Sequence, residues 1–129
     1  MRQIWSPFNW VDTSNVPVSE ESAPYFNELV ASSCTIIAKL VAAAAPHGLA
    51  GVNGSTTDVS IVGYTTGGGV GPLARTYGIN ADRVRAFEVV TGDGVFRRVT
   101  PTEYPDLYFA LRGGKGAAGI VTALELDLI

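Results

Sequence analysis

Several things are scarce in this chain, and each scarcity removes a class of function. One cysteine, Cys34, stands among 129 residues, so no internal disulfide can form and nothing points to an oxidising compartment. One histidine, His47, gives no cluster for a metal. The nine basic residues are scattered apart from Arg97-Arg98, and twelve acidic residues leave a formal charge of −3. That balance offers no electrostatic footprint for nucleic acid, so nucleic-acid binding is excluded. The longest apolar stretch, residues 41–45, is far short of the roughly 20 residues that cross a bilayer. The opening Met1-Arg2-Gln3-Ile4-Trp5-Ser6-Pro7 has no apolar core or cleavage site of a signal peptide. The expectation is a soluble, cytoplasmic protein without membrane contact, and no internal repeat is visible.

Glycine is plentiful, and its placement is informative. The run Val59-Ser60-Ile61-Val62-Gly63-Tyr64-Thr65-Thr66-Gly67-Gly68-Gly69-Val70-Gly71-Pro72-Leu73 sets β-branched residues against a loop bare of side chains. Glycine reaches positive φ without steric cost and leaves its N–H open to a ligand, so the run reads as a cofactor surface. A flexible linker would be Gly/Ser/Pro-rich on both sides, whereas Val59, Ile61 and Val62 precede these glycines and Val70 and Leu73 follow.

The chain has the length of one domain with one core. Residues 1–23 are rich in Ser, Asn, Pro and Glu, with Trp5, Phe8 and Trp10 as the large apolar groups, and read as an irregular arm. Apolar residues at near-helical spacing predict a helix over 24–45, ended by Pro46 and Gly48. Residues 59–64 read as a β-branched strand feeding the glycine loop. Pro72 opens a very short helix stopped by Gly78. Residues 84–91 and 95–100 form a hairpin about Gly92-Asp93-Gly94. Pro105-Asp106 opens a helix through Leu111, closed by Gly113-Gly114, and residues 120–129 end the chain as an alternating strand. The order is that of an α+β domain, with residues 1–34 as an unplaced arm and start of helix and 35–129 as the domain proper.

Two segments imitate the dinucleotide pattern G-x-G-x-x-G: Gly114-Lys115-Gly116-Ala117-Ala118-Gly119 and, with an alanine ending, Gly69-Val70-Gly71-Pro72-Leu73-Ala74. The first follows a helix and precedes a strand, the reverse of what pyrophosphate binding at a helix N-terminus needs. The second follows a predicted strand, but its helix is too short to cross to a parallel neighbour. A Rossmann NAD-binding domain with a parallel sheet is therefore a distant alternative.

Four segments occur in an order that identifies a family: Pro46-His47-Gly48-Leu49-Ala50; Gly63 through Leu73; Tyr77-Gly78-Ile79-Asn80-Ala81-Asp82; and Asp106-Leu107-Tyr108-Phe109-Ala110-Leu111-Arg112-Gly113-Gly114 on to Gly119-Ile120-Val121-Thr122. Residues from about 42 to 129 thereby resemble the second half of the FAD-binding (PCMH-type) domain of the vanillyl-alcohol oxidase and p-cresol methylhydroxylase superfamily, most closely its berberine-bridge-enzyme-like branch. The first 34 residues match nothing in that pattern. The resemblance implies a partial FAD-binding domain with a mixed or antiparallel sheet and flanking helices. It also implies a flavoprotein oxidoreductase in which hydride passes from a C–OH or C–N substrate to FAD and dioxygen reoxidises the cofactor. The first FAD half and the substrate domain would come from another segment or chain, and these residues alone would be inactive. The other reading is a non-catalytic truncated remnant.

The resemblance also places cofactor contacts. Gly63, Tyr64, Thr66, Gly67, Gly68, Gly69 and Gly71 would lie along the ribityl chain and flavin ring, Ser55 and Thr56 against the same cofactor, Val59 among the cofactor contacts, and Ile120 and Val121 at the adenine end. Relatives with a doubly attached flavin carry cysteine at the position of Thr56 and histidine at that of Tyr64, so no cysteinyl bond is expected. His47 does not match the family's attachment histidine, which belongs to the first half. Lys115, Ala117 and Ala118 replace the glycine, asparagine and phenylalanine usual there. No catalytic residue is assigned. Arg112 is expected to pair with Asp82 or Asp106, and Asp82 to cap a turn.

Overall fold

A computed structural model describes Val11–Asp12, Glu28–Ser32 and residues 35–129. Cys34 and the aromatic residues Trp5, Phe8 and Trp10 lie outside the described residues. Ten elements matter here: strands β1 (Val11–Asp12) and β2 (Glu28–Ser32), helices α1 (Ile37–Ala44), α2 (Ile61–Thr66) and α3 (Ala74–Tyr77), strands β3 (Val84–Val90) and β4 (Phe96–Val99), helix α4 (Pro105–Leu111), and strand β5 (Ile120–Asp127), with a 3-10 turn at Lys115–Ala118.

The strands form one sheet in the order β1-β2-β5-β3-β4, and every pairing is antiparallel. The α+β expectation holds, and a parallel Rossmann sheet is not what these strands build. β5 is central because Leu124 faces both Ala31 and Phe87 in register. Ion pairs Arg98–Glu125 (2.6 Å) and Arg85–Asp127 (2.6 Å) lie across the exposed side chains of the sheet. Being exposed, such pairs contribute little to stability.

Three expectations fail. Val11–Asp12, inside the arm read as irregular, is strand β1 paired with β2. The helix predicted over 24–45 begins only at Ile37, and Glu28–Ser32 inside that span is a strand. Pairing along the whole length of β2 with β5 outweighs local helical propensity. The strand predicted over 59–64 is instead α2. Ser60 caps it by accepting from the Gly63 amide (3.3 Å), and Ile61, Val62, Thr65 and Thr66 are buried, a spacing of one helical face. The β-branched residues thus pack a helix, since β-propensity reflects burial context more than backbone preference.

The hairpin, the short helix ended by Gly78 and the strand at the C-terminal end form as expected. The third helix also forms, opened by Pro105 and followed by Gly113 at φ +124°. Ile37 and Leu40 of α1, Ile61 and Val62 of α2, and Tyr108 and Leu111 of α4 join Phe87, Val89, Leu124 and Leu126 of the sheet in one core. Tyr108 adds a hydrogen bond from its hydroxyl to the Val84 carbonyl (2.5 Å) and a tilted ring contact with Phe87.

Candidate flavin site

The glycine segment leaves α2 and turns sharply over a buried asparagine. Gly68 has φ +104° and Gly69 φ +72°, a stretch that only glycine follows without strain. Their carbonyls accept from the next turn: Ala81 N–H donates to Gly68 (3.1 Å) and Asn80 N–H to Gly69 (3.0 Å). The Asn80 side chain donates to Thr65 Oγ1 (2.6 Å), while its Oδ1 is buried without a partner. Arg112 completes the brace by donating to the Ala81 carbonyl (2.9 Å) and pairing with Asp82. The expected partnership of Arg112 with Asp82 is present, and it occupies the carboxylate that was expected to cap a turn.

The glycines divide into two kinds. A Cβ on Gly69 would lie 2.6 Å from Asn80 Cβ, and one on Gly71 would overlap the Asn53 carbonyl oxygen, so close packing explains both. Gly68 faces open space, and a Cβ on Gly63 would find only Ser60 Cβ at 3.9 Å. For Gly63, in a helix and without positive φ, neither packing nor conformation requires glycine. Gly67 sits between: its Cβ would meet Gly63 O at 3.3 Å and Lys115 Cε at 3.4 Å.

The predicted contacts do not gather in one place. Thr66, Ile120 and Val121 come together with Val62, Lys115, Gly116 and Gly119 around a cleft of about 280 Å³ between the end of α2 and the start of β5. Ile120 is 73% exposed at this cleft, so its placement serves no core. Tyr64 and Gly71 instead lie against residues 51–54, and Gly69 against Asn80 and the Tyr64 ring: the Tyr64 hydroxyl donates to the Val52 carbonyl (3.2 Å), and its ring lies 3.2 Å from where Gly54 would carry a Cβ. Burial pushes the Tyr64 phenol above its ordinary pKa, which keeps it a neutral donor. Ser55, Thr56 and Val59 are exposed and do not line the cleft. Val59 offers its carbonyl to the Ile37 amide (3.0 Å), which anchors this loop to α1.

Sequence reasoning missed Val62, Lys115, Gly116 and Gly119 as lining residues. Lys115 adopts φ +54°, a left-handed conformation unusual for a side-chain-bearing residue. Its position in a false dinucleotide pattern drew attention to the glycines instead. The second pattern, at residues 69–74, is also displaced from its expected context, because a helix and not a strand precedes it.

These features suit part of FAD. Bare backbone at Gly67 and Gly68, an exposed aliphatic face at Ile120 and a cation beside them match a ligand with ring, ribityl and phosphate portions. A cleft of about 280 Å³ lies just under the range of roughly 300–1,000 Å³ for whole-ligand pockets, so it is too small for an entire dinucleotide. Among the described residues no helix is long and apolar enough to cross a membrane, and no cluster of His, Cys, Asp and Glu could hold a metal.

Comparison with known proteins shows the family. A family model described as FAD binding domain matches residues 12–100, beginning inside the segment that the sequence left unplaced. An FAD-linked oxidoreductase of Hypocrea jecorina, sor8, is 42% identical over 98 residues, 74% of this chain and 17% of that protein. The crystal structure of a VAO-type flavoprotein from Myceliophthora thermophila superposes with TM-score 0.77 at 31% identity, over 99% of this chain and 21% of that one. The 6-hydroxy-D-nicotine oxidase of Arthrobacter nicotinovorans superposes with TM-score 0.76 at 33% identity, over 79% of this chain and 22% of that one. The chain therefore spans about a fifth of the length of these relatives. It belongs to the FAD binding domain family of the vanillyl-alcohol oxidase and p-cresol methylhydroxylase flavoproteins.

Proposed function

We propose that this chain forms part of the FAD site of a flavin-dependent oxidoreductase that oxidises a C–OH or C–N substrate. Residues 63–71 lie beside the ribityl chain and flavin ring, Ser55 and Thr56 border the same cofactor, and the cleft at Ile120 and Val121 takes the adenine end. FAD, when bound, accepts hydride from the substrate and is reoxidised by dioxygen. The chain's own work is binding and orientation. The exposed glycine backbone approaches the cofactor closely, and its fixed dipoles favour negative charge on it without reorganising. Thr66, tied to the Val62 carbonyl (2.9 Å), and Asn80 hold that backbone in place.

The observation that carries this reading is the cleft itself, where Thr66, Ile120 and Val121 meet beside a glycine loop from a different part of the sequence. No residue here takes the role of catalytic base, and the base, the remaining cofactor contacts and the substrate pocket belong to protein outside these residues. Exposed Phe96 (57%) and Phe109 (79%) give such protein apolar surface to cover. Thr56 and Tyr64 leave FAD without a cysteinyl bond to this chain.

The test is titration of the purified chain with FAD, followed by flavin fluorescence and desalting. Flavin quenched on titration and retained on desalting supports the reading. Flavin that stays free even in excess, with the chain folded by circular dichroism, refutes independent binding. Adding the remainder of a full-length relative then separates a partner-dependent piece from a remnant that binds nothing.

A further inference from the structure

Lys115 has a feature that the fold does not require. The residue holds a left-handed backbone at φ +54° in the turn between α4 and β5, where glycine would be free of strain. Its side chain lines the cleft, and its Cε lies 3.4 Å from where Gly67 would carry a Cβ, so the aliphatic stem reaches across to the glycine loop. Among the described residues it forms no ion pair, whereas Arg85, Arg97, Arg98 and Arg112 each have a carboxylate partner. The other lining residues are aliphatic, hydroxyl or glycine, and none carries a charge. A strained cation thus stands beside an apolar wall of Val62, Ile120 and Val121 with no carboxylate among the described residues paired to it.

We propose that the Lys115 ammonium binds the diphosphate of FAD, so that the cleft grips the adenosine diphosphate half of the cofactor. This rests on the FAD reading above. The chemistry selects the partner, because the diphosphate is the permanently anionic part of FAD while the oxidised flavin ring is neutral. An ammonium on a four-carbon stem suits a phosphate as a movable point charge. The aliphatic wall beside it accepts the flat face of adenine, and Gly116, where a Cβ would meet nothing within 4 Å, leaves room for backbone approach.

The experiment titrates the full chain with FAD, ADP and riboflavin, using the wild type, Lys115→Gln, Lys115→Arg and Lys115→Gly, at two salt concentrations. The expected result is that Lys115→Gln weakens FAD and ADP about 10- to 100-fold, the worth of one charge-assisted hydrogen bond, and leaves riboflavin unchanged. Lys115→Arg recovers most of the loss, and added salt weakens the wild type more than Lys115→Gln. Lys115→Gly loses the same affinity without a lower melting temperature, because it relieves the positive φ; a merely structural lysine would not separate the two readouts. FAD bound equally by the wild type and Lys115→Gln overturns the lysine assignment and leaves the flavin reading standing. Wild-type binding of ADP with no gain from the flavin half overturns the flavin reading, while loss of ADP in Lys115→Gln still upholds the lysine. Binding of none of the three ligands, by the chain alone and with the remainder of a full-length relative added, overturns both.

Discussion

Gly63→Ala separates the two reasons a glycine can occupy this loop. Gly63 lies inside α2, and a methyl there would meet only Ser60 Cβ at 3.9 Å. Alanine is preferred over glycine within a helix by about 0.5–1 kcal/mol, since it loses less backbone entropy on folding. For a domain of this size such a gain raises the melting temperature by about 2–5 °C. If cofactor lies against this backbone, the same methyl intrudes on it, and overpacking by one methyl costs about 1–3 kcal/mol, or roughly 5- to 150-fold in FAD affinity. Stability and binding therefore move in opposite directions. Thermal denaturation without ligand and fluorescence titration with FAD read the two effects on one sample. A higher melting temperature with unchanged FAD affinity would refute the placement of Gly63 beside the cofactor; a lower melting temperature would refute the helix packing from which the prediction is worked.

Other substitutions test the frame around the site. Gly71→Ala, whose methyl collides with the Asn53 carbonyl, should destabilise by about 1–3 kcal/mol in chemical denaturation, in contrast to Gly63→Ala. Asn80→Ala removes the buried donor to Thr65 Oγ1 and should cost about 1–3 kcal/mol while loosening the glycine loop, read as faster amide exchange at residues 67–69. Asp93 tests pH dependence. Hydrogen bonds from Arg97, then from Thr91 and the Val95 amide, hold its carboxyl well below the usual carboxylate range. With the folded pKa depressed, its contribution is complete above the unfolded value near about 4 and is lost as pH falls through the folded value. Asp93→Asn should flatten that acid limb for the β3–β4 hairpin in an NMR-monitored titration.

Much of the fold was legible because local signals and tertiary packing agree. Gly92-Asp93-Gly94 between two apolar runs makes the hairpin, and Pro105 at the start with Gly113 at positive φ bounds α4. Where they disagree, the sequence misleads. Ile61 and Val62 favour a strand in isolation, yet Ser60 caps a helix that buries them together with Thr65 and Thr66. That i, i+1, i+4, i+5 spacing was the available signal. β2 was hidden because its partner β5 lies some ninety residues away, and no local pattern reports a pairing of that range. The candidate site was half legible. The glycine run and Ile120-Val121 were found from their motifs, and the cleft brings parts of both together. Lys115 was not legible, since only its strained backbone and its reach to Gly67 set it apart from an ordinary surface lysine.

Hydrogen–deuterium exchange of the chain with and without FAD tests the central claim most directly, because it reports where the cofactor lies as well as whether it binds. The account predicts slowed exchange in two separate stretches, residues 63–71 and 115–121, with the β3–β4 hairpin unchanged. Unaltered exchange at both stretches in saturating FAD, or protection confined to another surface, would contradict it.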